Sequence, residues 1–222
     1  MTYLELCKRL RQEAGLSGTG PTTAISQTGE MLRVVEWIDA AYESIQSYHA
    51  TWRFLRSDFS FSTIDGTQAY SPADVSITDL ATWIEEDIRV YSSVADESYL
   101  QYELWRTFRA VYLYGAYRSQ EARPTTVSIK PDNSIIFYPT PDAVYTIDGE
   151  YFKTPDAMAL DADEPNFPAR FHMAVVWRAL MLYGAYAAAD EKYAHGEKEY
   201  NRIFSELQRD QIDQISYGAP LA

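Results

Sequence analysis

The spacing of apolar residues along this chain changes period, and then changes back. Met31, Val34, Val35, Ile38, Ala41, Tyr42, Ile45, Tyr48, His49 and Trp52 recur at the spacing of one helix face. Glu30, Arg33, Glu36, Asp39, Glu43 and Gln46 mark the opposite face. From Asp58 the rhythm is two: Asp58-Phe59-Ser60-Phe61-Ser62 alternates, and Ile64 extends the run. A helical pattern does not bury one face as a strand, nor a strand pattern as a helix, so the chain is neither all-α nor all-β.

The alternation of periods continues to the end. Asp65-Gly66 is a favoured hairpin turn pair and leads into Thr67-Gln68-Ala69-Tyr70, which predicts a β-hairpin closed by Ser71-Pro72. Ile88–Tyr91 reads as a further short strand. Glu97 to about Gln120 reads as helix, with Leu100, Leu104, Phe108, Val111 and Tyr112 spaced for burial. Val127–Ile129, Ile135–Tyr138 and Val144–Phe152 are extended runs joined by Lys130-Pro131-Asp132-Asn133 and Pro139-Thr140-Pro141-Asp142, which predicts an antiparallel β-meander. Asn166 and Pro168 open a helix to about Asp190, and a last helix runs from about Glu191 to Gln208 with Tyr193, Tyr200, Ile203, Phe204 and Leu207 on one side. Runs of strands and runs of helices without a βαβ rhythm give an α+β fold: a helical bundle with an inserted antiparallel β-hairpin and β-meander. The expected organisation is one domain over residues 1–210, with β insertions at about 57–91 and 125–153, followed by a tail over 211–222.

Local signals sharpen the N-terminal part. Thr2 and Glu5 have capping-box spacing, Leu6, Cys7, Leu10 and Ala14 follow at helical spacing, and Gly15 supplies a left-handed stop. The segment GLSGTGPTTAISQTG is polar, rich in Gly, Ser and Thr, and reads as a loop or arm.

The string LYGAY occurs twice, at Leu113–Tyr117 and Leu182–Tyr186. The wider segments FRAVYLYGAY and WRALMLYGAY both fall inside expected helices. A helical glycine costs about 1 kcal/mol relative to alanine, so it asks for a reason. Close approach of two helix backbones is one, and Gly115-Ala116 facing Gly184-Ala185 would supply a shared packing surface flanked by tyrosines.

The composition narrows function by exclusion. The formal net charge is −13, the opposite of what phosphate-backbone binding uses. That charge keeps a protein soluble, and it also suits a surface that nucleic acid passes without sticking. No apolar run reaches membrane-spanning length, and the charged first residues do not read as a signal peptide, so synthesis in the cytoplasm is expected. A single cysteine, Cys7, rules out an internal disulfide framework and a cysteine-based zinc cluster; its position predicts a small core residue. His49, His172 and His195 form no HExxH or other helical metal spacing, and His49 is expected at a hydrogen-bonded core or boundary position. GLSGTGP lacks the Lys-Ser/Thr end of a P-loop, and no GxSxG elbow is present. Two acidic clusters, Glu85-Glu86-Asp87 and Asp161-Ala162-Asp163-Glu164, lack the glycine of a calcium loop; the second is expected to complement the positive end of the helix it precedes. No catalytic residues, cofactor or metal are expected. The 18 tyrosines suit repeated subunit contacts.

Four segments in this order resemble the head-to-tail adaptor (connector) proteins of tailed bacteriophages. They are the first helix with GLSGTGPTT and GEMLRVVEWIDAAYESIQ, then YHATWRFLRSDFSFSTIDGTQAYSP, then SIIFYPTPDAVYTIDGEYFKTP, then DEPNFPARFHMAVVWRALMLYGAY. Together they cover residues 2 to about 208. The resemblance implies a structural virion protein rather than an enzyme. It would stand in the neck between portal and tail and assemble as a ring, usually dodecameric. The implied partners are the portal protein, a tail or nozzle protein, further copies of itself, and double-stranded DNA passing without specific binding; no membrane is implied. The C-terminal segment of such proteins commonly grips the portal, a role for which Ile212, Ile215, Tyr217, Pro220 and Leu221 are the apolar candidates here. A neck or tail-completion protein further from the portal shares this logic. A carbohydrate-active virion enzyme using Tyr and Trp for sugar stacking stays open as a different class.

Overall fold

The computed structural model describes residues 1–212 and confirms the α+β class. Its helices are α1 (Tyr3–Ala14), α2 (Gly29–Gln46), α3 (Trp105–Tyr112), α4 (Met173–Tyr186) and α5 (Asp190–Gln211). Its strands are β1 (Arg56–Ser62), β2 (Ala69–Tyr70), β3 (Leu80–Trp83), β4 (Arg89–Tyr91), β5 (Ser98–Tyr99), β6 (Gln101–Tyr102), β7 (Thr126–Ile129), β8 (Ile135–Tyr138) and β9 (Thr146–Lys153). Two compact units share the chain: a helical unit from residues 1–55 and 155 onward, and a β unit from residues 56–154. The two β segments expected as separate insertions both fall in the second of these units. The two β segments form one unit because β9 pairs with β1 and β4, and β6 pairs with β7.

In the helical unit, α1 begins with the capping box read from sequence. Thr2 N donates to Glu5 Oε2 at 2.9 Å, and Glu5 N donates to Thr2 Oγ1 at 3.3 Å. Gly15, at φ 76°, ends the helix by donating to Gln12 O. α4 carries apolar side chains nearly all round, as a helix enclosed by others must. It packs against α1, α2 and α5. α2 stops six residues before Trp52, the last residue of its apolar series. The indole folds back instead and donates Nε1–H to Ile45 O at 3.1 Å, fully buried. The segment after the β unit is tied to α2 by half-buried polar pairs. Gln46 and the Asp156 backbone exchange two hydrogen bonds, and Tyr42 Oη donates to Asp156 Oδ1 at 2.7 Å while accepting from Asn166 N.

The β unit is two sheets closed around one core. In the first, β9 is central. β1 runs along one edge with Arg56 opposite Phe152 and Ser62 opposite Thr146; β4 and β3 share the other edge, and β5 lies outside β4. The second has the order β2-β8-β7-β6, antiparallel except for the parallel pair β6–β7. Phe59, Trp83, Val90 and Ile147 of the first sheet and Tyr70, Val127, Ile135 and Phe137 of the second fill the space between them. β8 reads Ile-Ile-Phe-Tyr and is buried on both sides. Ile135 and Phe137 enter the inter-sheet core, while Ile136 and Tyr138 lie beneath α3 with Phe108.

Three sequence expectations change here. The β1–β2 hairpin and the three-strand meander do not form as ladders. The chain turns at Asp65-Gly66, as expected, but β1 pairs with β9 and β2 with β8 in the other sheet. The β7–β8 hairpin forms, with Asn133 at φ 62° in its turn, but the next strand leaves β8 for β1. Pro139 and Pro141 in the connection cannot donate ladder hydrogen bonds. Gly149 lets the Phe59 ring lie flat on β9: a Cβ there would sit 2.8 Å from Phe59 Cζ. The expected helix over 97–120 shrinks to α3. Ser98–Tyr102 is β-paired instead, a Tyr-rich stretch that suits a half-buried strand.

Candidate functional site

Pleat alternation decides what the first sheet shows to solvent. Phe59 of β1 and Ile147 and Tyr151 of β9 point inward, so Arg56, Asp58 and Ser60 and their cross-strand neighbours Glu150 and Asp148 face out. Asp58 stands directly opposite Glu150, a like-charge pair that a sheet would ordinarily avoid. On the other edge Arg89 stands opposite Asp148. Asp87 and Glu97 complete an open cleft of about 640 Å³ lined by Asp58, Asp87, Arg89, Glu97, Asp148 and Glu150.

The cationic groups in this cleft are already engaged. Arg89 donates to Asp87 Oδ1 at 3.0 Å, Glu97 Oε1 at 2.7 Å and Tyr99 Oη at 2.8 Å, and its guanidinium lies 4.5 Å from the centre of the Tyr99 ring. Arg56 pairs with Glu150. Tyr91 Oη donates to Asp148 Oδ2 at 2.7 Å, which raises its phenol pKa; Asp148 Oδ1 is buried with no hydrogen-bond partner among the described residues. Five carboxylates face two guanidinium groups, so the outer face of the first sheet is anionic. It attracts a cationic surface and repels a polyanion.

The far side of the second sheet is different. α3 buries only Phe108, and the chain from Leu104 to Gln120 is otherwise largely open to solvent. Leu104 is 67% exposed, Val111 43%, Tyr114 56% and Tyr117 52%. Trp105, Arg106, Arg109, Ala110 and Tyr114 line a shallow apolar groove of about 340 Å³. Arg106, Arg109 and Arg118 are exposed, and none has a hydrogen-bond or ion-pair partner among the described residues. One sign of this surface stands in the sequence: Leu104 to Gln120 holds three arginines and no acid in a chain of 32 acidic residues. Apolar periodicity read it as a buried helix, because periodicity shows a stripe and not what covers it.

The repeated string takes two conformations. Leu182–Tyr186 lies in α4 as expected, and the Cβ position of Gly184 is 2.7 Å from Tyr193 N and 3.0 Å from Tyr193 Cα. The close neighbour is thus α5, while Ala185 beside it is exposed. Gly115 and Ala116 are not in an α-helix. Gly115 opens a 3₁₀ turn over Gly115–Ser119 at φ 66°, with nothing within 4 Å of its Cβ position. Here the glycine supplies a left-handed backbone, so Tyr112 stacks on Tyr138 at 4.1 Å and Tyr117 meets Tyr138 edge-on at 6.3 Å. The arginines that open the two segments differ likewise: Arg178 donates to Ser44 Oγ at 3.2 Å, whereas Arg109 has no partner among the described residues.

The other singled-out residues serve packing. Asp161 Oδ1 accepts from Thr23 Oγ1 at 3.0 Å and Ala24 N at 2.6 Å, which fastens the loop after α1. The carbonyls of Asp163 and Asp161 accept from Tyr3 N and Leu4 N, so this cluster serves the N-terminus of α1 and not that of the helix it precedes. His49 accepts from Gln208 Nε2 at 2.8 Å, His172 donates to Phe167 O at 3.0 Å, and His195 meets the Trp177 ring edge-on at 5.2 Å. Cys7 is fully buried, and burial pushes its thiol pKa up to about 12. Ile212 follows the end of α5; Ile215, Tyr217, Pro220 and Leu221 lie outside the described residues. No helix among the described residues is long and apolar enough to cross a membrane.

Comparison with known proteins gives one family. The model described as SU10 adaptor protein matches residues 1–222. No curated protein matches.

Proposed function

Because the chain belongs to the SU10 adaptor protein family, structural adaptors of phage particles, we propose that it joins the portal to the tail as a ring in the virion neck. The observation that carries this reading is the match of the family over the whole chain. On this reading the protein acts by binding the portal on one side and a tail or nozzle protein on the other, and not by catalysis. The ring extends the channel through which double-stranded DNA leaves the head.

The charge supports passage without adhesion. A formal net charge of −13 disfavours contact with phosphates. The tail from Gln211 onward is the proposed portal-gripping segment, with Ile212, Ile215, Tyr217, Pro220 and Leu221 as its apolar anchors.

Electron microscopy of the purified protein mixed with the portal encoded by the same genome tests the reading. A new ring layer on the narrow end of the portal is expected, and its subunits can be counted. A bare portal, with both proteins folded, overturns the portal-binding role and moves the protein further down the neck.

A further inference from the structure

The β unit presents two unlike surfaces on opposite sides. The inter-sheet core separates the two sheets, the anionic face is the outer side of the first, and α3 covers the outer side of the second. The outward face of α3 gathers Trp105, Ala110 and exposed Tyr114 with Arg106 and Arg109 around one apolar groove, and neither arginine has a partner among the described residues. Aromatic, aliphatic and arginine side chains together are the composition of interface cores, and contiguous apolar exposure is unfavourable unless something covers it.

We propose that the α3 face of one copy docks on the anionic sheet face of a second copy. Charge complementarity selects that occupant. α3 offers guanidinium groups without acceptors, and the sheet face offers more carboxylate acceptors than its own Arg56 and Arg89 neutralise. The acidic cleft cannot be reached by α3 of the same chain, because the sandwich lies between them. The contact is therefore heterologous: each copy uses one face to bind and leaves the other to be bound, so the contact repeats from copy to copy and closes as a ring if the rotation allows. This rests on the ring reading above and adds the surfaces that build it.

Charge exchange tests it. One variant carries Arg106→Glu and Arg109→Glu; the other carries Asp58→Lys and Ser60→Lys. These four side chains are exposed, and Asp58→Lys also removes the repulsion from Glu150, so both variants are expected to fold like the wild type. Sedimentation velocity up to millimolar concentration reads self-association. The wild type is expected to associate, and each variant alone to associate weaker on the order of a hundredfold. An equimolar mixture is expected to regain association, because the acidic α3 of one variant then meets the added lysines on the sheet face of the other, while the unaltered α3 meets the unaltered anionic face. A wild type that stays monomeric, variants that associate like the wild type, or a mixture without rescue overturns the proposal. The outcome is independent of the portal experiment. A ring layer on the portal built equally well by the variants leaves the adaptor role standing and removes this interface, whereas a bare portal with charge-dependent self-association does the reverse.

Discussion

At Gly184 an added methyl group would meet the Tyr193 backbone at 2.7–3.0 Å, and backbone cannot rotate away. Gly184→Ala gains about 1 kcal/mol of helix propensity but forces α4 and α5 apart, with a net loss of roughly 1–3 kcal/mol expected. Gly115→Ala meets open space and pays only for its left-handed backbone, about 1 kcal/mol. Urea denaturation of the two variants should rank Gly184→Ala as the more damaging. His172 gives a second residue-scale expectation. Burial, its largest perturbation, lowers its pKa below the ordinary value of 6.5. Between that value and the lower folded pKa the unfolded chain binds more protons than the folded one, so this group's contribution makes stability fall as pH falls through that window. His172→Gln should flatten the dependence of unfolding free energy on pH just below the ordinary histidine value of 6.5, because its side chain does not titrate.

α3 shows how little can hold an element in place. Its anchor is Phe108, set among Ile136, Tyr138, Trp105 and Tyr112 on the back of β8. Phe108→Ala is expected to cost about 3–5 kcal/mol. Because the inter-sheet core is a separate cluster, the loss should fall first on α3. Hydrogen exchange should then show the amides of residues 105–112 opening while those of β7 and β9 stay protected. Equal loss of protection across both sheets would mean that α3 is part of the sandwich core. The variant should also weaken self-association, because a loosened helix no longer presents Arg106 and Arg109 together.

At the scale of the whole molecule, the β unit is one continuous stretch set within a discontinuous helical unit. Its first and last strands pair with each other, with Arg56 opposite Phe152, so the two ends of the insertion emerge side by side. Its core clusters contain only residues of that stretch. Residues 56–154 expressed alone should therefore fold, with a β-type circular dichroism spectrum and a single cooperative thermal transition. A spectrum without a transition would show that the sandwich depends on the helices.

What the sequence determined by itself was local. The capping box at Thr2 and Glu5, the stop at Gly15, the turn at Lys130–Asn133 and the long amphipathic pattern of α2 depend on residues a few positions apart, so neighbours in the chain suffice to specify them. Tertiary structure decided which strand meets which. β9 could have continued the β7–β8 hairpin; instead it pairs with β1, where Phe59 packs over Gly149, and the prolines before it cannot donate to a ladder. Tertiary structure also decided that one LYGAY packs a helix on α5 while the other turns away from helix under Tyr138. The candidate surfaces follow the same division. The arginines and the acid-free run were in the sequence, but exposure depends on what packs over a segment, and that is settled by residues far away in the chain.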